Sequence, residues 1–311
     1  MKKCLIVTSI ANEFEQEIGR LASEPIPVKA CTTVEQALAS YSNETILFGS
    51  PVMIVELLAQ MPTIEWVQSS WAGVTPFIEH AQRDYILTGV KDVFGPQMSE
   101  YTLGYLLAHE LKINQRLAEQ RKHNWFQAHS EPLAGKQLGI MGTGSIGQHI
   151  AMSAKYMGLK VIGLSRSGRS TEEIANVLPV EELHDFLRQC DHVVSTLPDT
   201  PITQNLLDAE ALAHLPAHAC FVNVGRGSVV DDDALMAALN RGSLAGAVLD
   251  VFDEEPLPDD SPLWDTPNLS ITAHISAISH PLLLVPIFVE NYQRFLRGET
   301  LKHIVDFEHG Y

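Results

Sequence analysis

Three side chains in the last third of the chain have types suited to proton transfer and anion binding. Arg226 stands in FVNVGRGSVVDDDAL, Glu255 follows Asp250 in AVLDVFDEEPL, and His274 stands in SITAHISAIS. A histidine donates a proton near neutral pH, and a carboxylate beside it stabilises the imidazolium. A guanidinium is a planar fork of donors that matches a carboxylate. Each stretch follows an apolar run that reads as a strand, and ligands of open α/β sheets sit at the carboxyl ends of strands. Singly, each has an ordinary reading: a surface ion pair, a solvated acidic turn, a structural histidine. Their order, arginine then glutamate then histidine behind a nucleotide-binding pattern, is what makes them a candidate site.

That pattern is GTGSIG at residues 142–147, with apolar LGIM before it and the helical stretch QHIAMSAKYMGLK after it. Strand, Gly-rich turn and helix are the context that a dinucleotide fingerprint requires. Gly142 permits the tight turn, Gly144 the approach of a pyrophosphate, and Gly147 close packing of helix on strand. The N–H groups of Ser145 and Ile146 then face phosphate at the helix N-terminus. An acid should follow about 20 residues later to hold the adenosine ribose. Ser165, Arg166 and Ser167 occupy that place, with Arg169 close behind. Loss of the acid removes repulsion of a 2′-phosphate, and Arg166 can pair with it. The expected cofactor is NADPH, with NADH as the alternative if the loop is merely solvated.

The elements that position these residues form two alternating series. LIVTSI (5–10), TILFGS (45–50), EWVQSS (65–70) and YILTGV (85–90) read as strands, with helices at 34–41 and 52–61 between them. Residues 98–125 read as one long helix, with apolar positions at Tyr101, Tyr105, Leu106, Ile113 and Leu117. A second series follows, with six strands: QLGIM, KVIGLS, HVVSTL, CFVNV, GAVLDV and LSITA. The tail PLLLVPIFVENYQRFLRG is helical and is expected to return to the first domain; the alternative is two sequential domains. The predicted fold class is α/β with two doubly wound domains, a Rossmann cofactor domain (98–282) inserted in a flavodoxin-like substrate domain (1–97 plus 283–311).

The chain resembles the D-isomer-specific 2-hydroxyacid dehydrogenases. The resemblance spans almost the whole chain and is carried by GTGSIG, TLPDTPIT (196–203), NVGRG (223–227), LDVFDEEPL (249–257), AHIS (273–276), and ENYQRFLRGE with the closing GY. Within the family it is most similar to the NADPH-linked glyoxylate/hydroxypyruvate reductases. The resemblance implies that Arg226 grips a 2-oxo acid, that His274 is the proton donor, and that Glu255 stabilises its imidazolium. It implies that Asp250 holds the nicotinamide side of the cofactor, and that Leu197, Pro198, Thr203, Val224 and Gly225 line the dinucleotide groove. In the first domain it implies that SSWAGV (69–74) binds the substrate carboxylate through backbone N–H groups at Ala72 and Gly73. Trp71 stands where many members have a small residue, so it either reshapes the pocket or points into the core. Ala273 replaces the usual proline and Ser276 a small apolar residue. D stereochemistry and a homodimer are further expectations of the family.

The 311 residues carry a formal net charge of −17. That disfavours nucleic acid and anionic membrane as partners, which reward basic patches. Cys4, Cys31, Cys190 and Cys220 are widely spaced, which suits a reducing compartment. MKKCLIVTSI reads as a first strand rather than a signal core, so a cytoplasmic location is expected. Scattered histidines give no zinc spacing, so no metal is expected. No G-x-S-x-G elbow supports a hydrolase. The remaining alternatives are an NADH-linked D-hydroxyacid or phosphoglycerate dehydrogenase and a nucleotide-sensing, corepressor-like binding protein. A phosphorylated substrate needs basic residues that the first domain mostly lacks, and no long low-complexity extension suggests an interaction hub.

Overall fold

Strands covered on both faces must be apolar along their length, and parallel sheets of this kind read as continuous Val/Ile/Leu runs. CLIV, ILFG, CFVN and GAVL are fully buried strands of this type. The computed structural model describes residues 2–308, so the closing Gly310–Tyr311 of the sequence resemblance lies outside the described residues. The chain divides into two units, one running through Val93 and resuming at Ser279, the other Phe94–Ile278. Each break lies four residues before the boundary expected from sequence.

In the first unit the elements are β1 (Cys4–Val7), α1 (Ala11–Leu21), β2 (Val28–Cys31), α2 (Val34–Ser40), β3 (Ile46–Gly49), α3 (Pro51–Leu58), β4 (Trp66–Ser69), α4 (Thr75–Glu79) and β5 (Ile86–Thr88). The five strands are parallel in the order β2-β1-β3-β4-β5, a flavodoxin-like winding. Sequence reading passed over β2, whose VKAC is only partly buried, and α1, which packs its Phe14 and Ile18 inward.

The second unit contains α5 (Gly95–Glu110), α6 (Ile113–Arg121), β6 (Gln137–Met141), α7 (Ser145–Tyr156), β7 (Lys160–Ser165), β8 (Val177–Pro179), α8 (Leu183–Arg188), β9 (His192–Ser195), α9 (Ala209–Leu212), β10 (Cys220–Asn223), α10 (Asp232–Arg241), β11 (Gly246–Leu249) and β12 (Leu269–Ile271). Its parallel order, β12-β11-β10-β9-β6-β7-β8, is the Rossmann winding with one added strand. The strands number seven rather than six. The unread one is β8, three residues ending in Pro179 at the sheet edge, where proline is tolerated.

The predicted helix over 98–125 is two helices. Lys112 adopts φ +52°, a left-handed conformation that no continuous helix holds, and it separates α5 from α6. Ile113 and Leu117 are exposed, not part of a core face.

The period-two alternation of strand side chains splits the second core between two faces. Val193, Phe221 and Leu249 pack with α8, α9 and α10, while Val194, Val222 and Val248 pack under α5 and α7. α10 shows how local chemistry sets the helix ends: Asp231 accepts the Ala234 N–H at 2.9 Å, and Gly242 closes the helix at φ +68°. The last helix, α11 (Pro281–Arg297), belongs to the first unit. There Phe288 stacks on Phe48 and Trp66 at 4.6 and 5.5 Å, and Phe14 meets Phe48 edge-on at 4.9 Å.

Candidate active site

The loop from β6 to α7 carries the glycine fingerprint, and the three glycines meet different constraints. Gly142 has φ +97°, and a Cβ there would lie 2.6 Å from Thr196 Oγ1. At Gly147 a Cβ would lie 2.0 Å from the Gly142 carbonyl oxygen, so only glycine lets α7 approach the strand. At Gly144 a Cβ would meet nothing within 4 Å, so the protein itself leaves that side open. The N–H groups of Ser145, Ile146 and Gly147 open α7 without a side-chain cap, a helix start with its donors free for an anion. This cradle fits the pyrophosphate of a dinucleotide.

At the end of β7, Arg166 and Arg169 are exposed, as is Ser167. Ser165 is half-buried, and its Oγ accepts the Gly168 N–H at 3.2 Å, so it shapes the turn. Among the described residues neither arginine has a carboxylate partner, which leaves both guanidinium groups available. Leu197 and Gly225 are brought together, since a Cβ on Gly225 would lie 2.6 Å from the Leu197 carbonyl oxygen. Val224 is buried, with its N–H on Ser195 O at 3.0 Å. Thr203 is buried too. Its hydroxyl donates to Pro198 O at 2.7 Å and accepts the Thr200 N–H at 2.9 Å, so it fixes the turn at 198–203.

Glu255 and His274 meet. His274 Nδ1 lies 2.7 Å from Glu255 Oε2, while Oε1 accepts the Phe252 N–H at 2.9 Å. A carboxylate only accepts, so Nδ1 carries the proton of this bond and Nε2 is the nitrogen left for other partners. The pair is half-open to solvent, with the histidine side chain 51% exposed.

The loop that holds His274 is fixed by Asp250. This side chain is fully buried. Oδ1 accepts from Ile275 N–H at 2.8 Å and Thr272 Oγ1 at 2.5 Å, and Oδ2 accepts from Ser276 N–H at 2.8 Å. Its backbone oxygen takes the His274 N–H at 2.8 Å. His274 itself sits at φ +53°, a left-handed conformation costing about 1–2 kcal/mol, so these bonds hold it where it would not rest alone. Asp250 therefore positions the loop of His274 through a fully buried carboxylate. Tyr101 on α5 completes the chain, donating to Thr272 Oγ1 at 2.6 Å. Burial, the largest cause, pushes its phenol well up, so it stays a donor.

Arg226 follows β10 in a turn built by Asn223. The buried Asn223 donates from Nδ2 to Arg226 O at 2.8 Å and accepts Gly225 N–H at 3.1 Å. Arg226 Nη1 donates to Gly225 O at 2.7 Å, and no carboxylate pairs with it among the described residues. A half-buried guanidinium without a counter-ion suits an incoming anion.

In the first unit, SSWAGV follows β4. Ser69 Oγ accepts the Trp71 N–H at 3.0 Å and donates to Trp71 O at 2.9 Å, which bends the chain. Trp71 is 43% exposed, so it does not point into the core. The N–H groups of Ala72 and Gly73 meet no acceptor among the described residues. Sequence reading missed Asn223, Thr272 and Tyr101. Asn223 and Thr272 lie inside the site motifs, but nothing in a motif marks which polar residue turns inward, and Tyr101 has the spacing of an ordinary apolar helix position.

A Rossmann sheet with an uncapped Gly-rich helix start and a His–Glu pair at its strand ends defines a dinucleotide-dependent oxidoreductase fold. Residues 103–276 match the family model described as D-isomer specific 2-hydroxyacid dehydrogenase, NAD binding domain. The chain belongs to the D-isomer-specific 2-hydroxyacid dehydrogenase family. It is 34% identical, over 70% of each chain, to glyoxylate/hydroxypyruvate reductase A of Escherichia fergusonii. Among solved structures it is similar to a D-isomer specific 2-hydroxyacid dehydrogenase family protein of Aeromonas salmonicida, 38% identical, with TM-score 0.94 over 99% of this chain and 100% of that one. It is also similar to the NADPH-dependent glyoxylate/hydroxypyruvate reductase of Sinorhizobium meliloti in complex with NADP and sulfate, 29% identical, with TM-score 0.85 over the full length of both.

Proposed function

We propose that this protein reduces a small 2-oxo acid, of the glyoxylate or hydroxypyruvate type, to the D-2-hydroxy acid with NADPH. The observation that carries the reading is the 2.7 Å contact of His274 with Glu255 on a loop pinned by Asp250, because it leaves Nε2 poised as a proton donor. The uncapped start of α7 and the open side of Gly144 would hold the pyrophosphate, and Arg166, aided by Ser165, Ser167 and Arg169, the 2′-phosphate. The relatives that share this fold support the cofactor, since the Sinorhizobium meliloti structure contains NADP.

A bound reduced nicotinamide supplies the hydride for C2 of the oxo acid. Arg226 holds the substrate carboxylate and orients its keto oxygen. In the first unit, the free N–H groups of Ala72 and Gly73 are suited to a carboxylate, with the exposed Trp71 beside them. His274 Nε2 gives its proton to the keto oxygen, and Glu255 stabilises the imidazolium from Nδ1 until then. Hydride and proton together convert the carbonyl to a hydroxyl, and solvent restores the proton to His274.

The working form is proposed to be a cytoplasmic homodimer. Exposed Ile113, Leu117 and Trp125 on and after α6 offer apolar surface for a second copy, and four buried free cysteines suit a reducing compartment. Among the described residues no helix is long and apolar enough to cross a membrane. The test is the initial rate of NADPH and NADH oxidation against glyoxylate, hydroxypyruvate, pyruvate and phenylpyruvate. Faster turnover with NADPH on the two small acids is expected. Tight NADPH binding without turnover on any acid would instead indicate a nucleotide sensor.

A further inference from the structure

On the opposite side of the second sheet from α5 and α7, two helices bring together residues that no part of the reductase chemistry uses. His184 lies on α8, Glu210 on α9, and His214 in the turn just after α9. One ligand atom from each lies within 4.8 Å of the others. The imidazole rings of His184 and His214 are 4.2 Å apart at 45°. We propose that His184, Glu210 and His214 form a binding site for one divalent transition-metal ion of the zinc or nickel kind.

The chemistry of the donor set is the argument. Two imidazoles and a carboxylate on one side, with the rest open to water, are suited to zinc or nickel and poorly suited to calcium or magnesium, which require more oxygen ligands. Glu210 and His214 are four residues apart, so the α9 turn presents them side by side. Metal–ligand bonds of about 2.0–2.1 Å place donor atoms about 3.4 Å apart in a tetrahedral site. The present spread is closed by rotating side chains that are exposed or half-buried. None of the three makes a side-chain hydrogen bond within the described residues, so no hydrogen bond must be broken.

The surrounding charges are compatible with a cation. Arg188 is the nearest positive group on α8, and it is paired with Asp185. All four cysteines are buried, so thiolates do not compete in the folded chain. A metal here would tie α8 to α9 and stabilise the second unit.

The experiment is equilibrium competition of Zn²⁺ between the full chain and a chromophoric chelator. It is run on wild type and on His184→Ala, His214→Ala, Glu210→Gln and His274→Ala. One saturable site is expected. It should weaken at least tenfold in His184→Ala and His214→Ala, less in Glu210→Gln, and stay unchanged in His274→Ala. Zn²⁺ should raise the melting temperature of wild type but not of His184→Ala. Far-UV circular dichroism checks that each variant folds, and His214→Gln replaces any that does not. Equal affinity in wild type and both histidine variants would overturn the proposal. So would loss confined to His274→Ala, or no saturable site tighter than about 1 mM.

Discussion

Gly144→Ala and Gly147→Ala add the same methyl group three residues apart, yet they should fail in opposite ways. At Gly147 the new Cβ would lie 2.0 Å from the Gly142 carbonyl oxygen and 3.1 Å from Ile140 Cγ2. Ordinary contact needs more than 3.4 Å, so α7 must move away from β6 by more than an ångström. Overpacking of a tight core costs about 1–3 kcal/mol. In a domain of this size that is a fall in melting temperature of roughly 2–12 °C. At Gly144 the Cβ meets nothing within 4 Å and φ is −73°, so the folded chain accepts it, at a capping cost of no more than about 1 kcal/mol. The open side is where a pyrophosphate would rest against backbone N–H groups. A methyl there displaces the phosphate and loses one charge-assisted bond of about 1.5–3 kcal/mol. NADPH should then bind roughly ten- to a hundredfold more weakly. Differential scanning calorimetry of the free proteins, with titration of NADPH fluorescence, separates the two effects. Unchanged NADPH affinity in Gly144→Ala would refute the phosphate cradle, and an unchanged melting temperature in Gly147→Ala would refute the packing argument.

His274→Ala should cut reduction by roughly 10²–10⁴-fold while NADPH binding stays close to wild type; equal loss of both in titration and rate assays would assign His274 a structural role. Arg166→Asp should weaken NADPH by about 1.5–3 kcal/mol and leave NADH nearly unaffected, so an unchanged ratio of the two affinities would remove Arg166 from phosphate recognition. At the start of β9, burial pushes the fully buried His192 down to about 4, although Nε2 lies 2.9 Å from Glu110 Oε1 in a geometry too poor for a hydrogen bond. Between about pH 4 and the free histidine value of about 6.5, the unfolded chain binds a proton that the folded chain refuses. Stability from this group is full above pH 6.5 and falls by about 3 kcal/mol as the pH drops to 4. His192→Asn, which keeps an acceptor for Cys220 N–H, should lose less stability than wild type between pH 7.5 and 4.5 in urea unfolding. Parallel losses would exclude His192 as a source of acid sensitivity.

Much of this architecture was legible because parallel strands buried on both faces are written as unbroken apolar runs, and β6, β7, β10 and β11 were read that way. Elements with weak signals were not: β2 is partly exposed, β8 is three residues long, and a single left-handed Lys112 divides a helix whose composition continues across it. The types of the site residues were also legible. Glycines at 142, 144 and 147, the Ser-Arg-Ser run, Arg226, Glu255 and His274 each state a chemical capacity in their identity and spacing. Which of those capacities is spent inside the protein was decided only by tertiary structure. Nothing in its motif says that Asp250 accepts three hydrogen bonds that hold the His274 loop. Nor does the sequence say that the Thr203 hydroxyl closes its own turn. Glu210 and His214 stand four residues apart in sequence, but His184 comes from another helix, and only packing of α8 beside α9 sets all three together. Sequence determines local conformation and chemical type, since both are properties of single residues and near neighbours. The partner of a polar side chain is set by contacts distant along the chain, and the packed fold alone decides it.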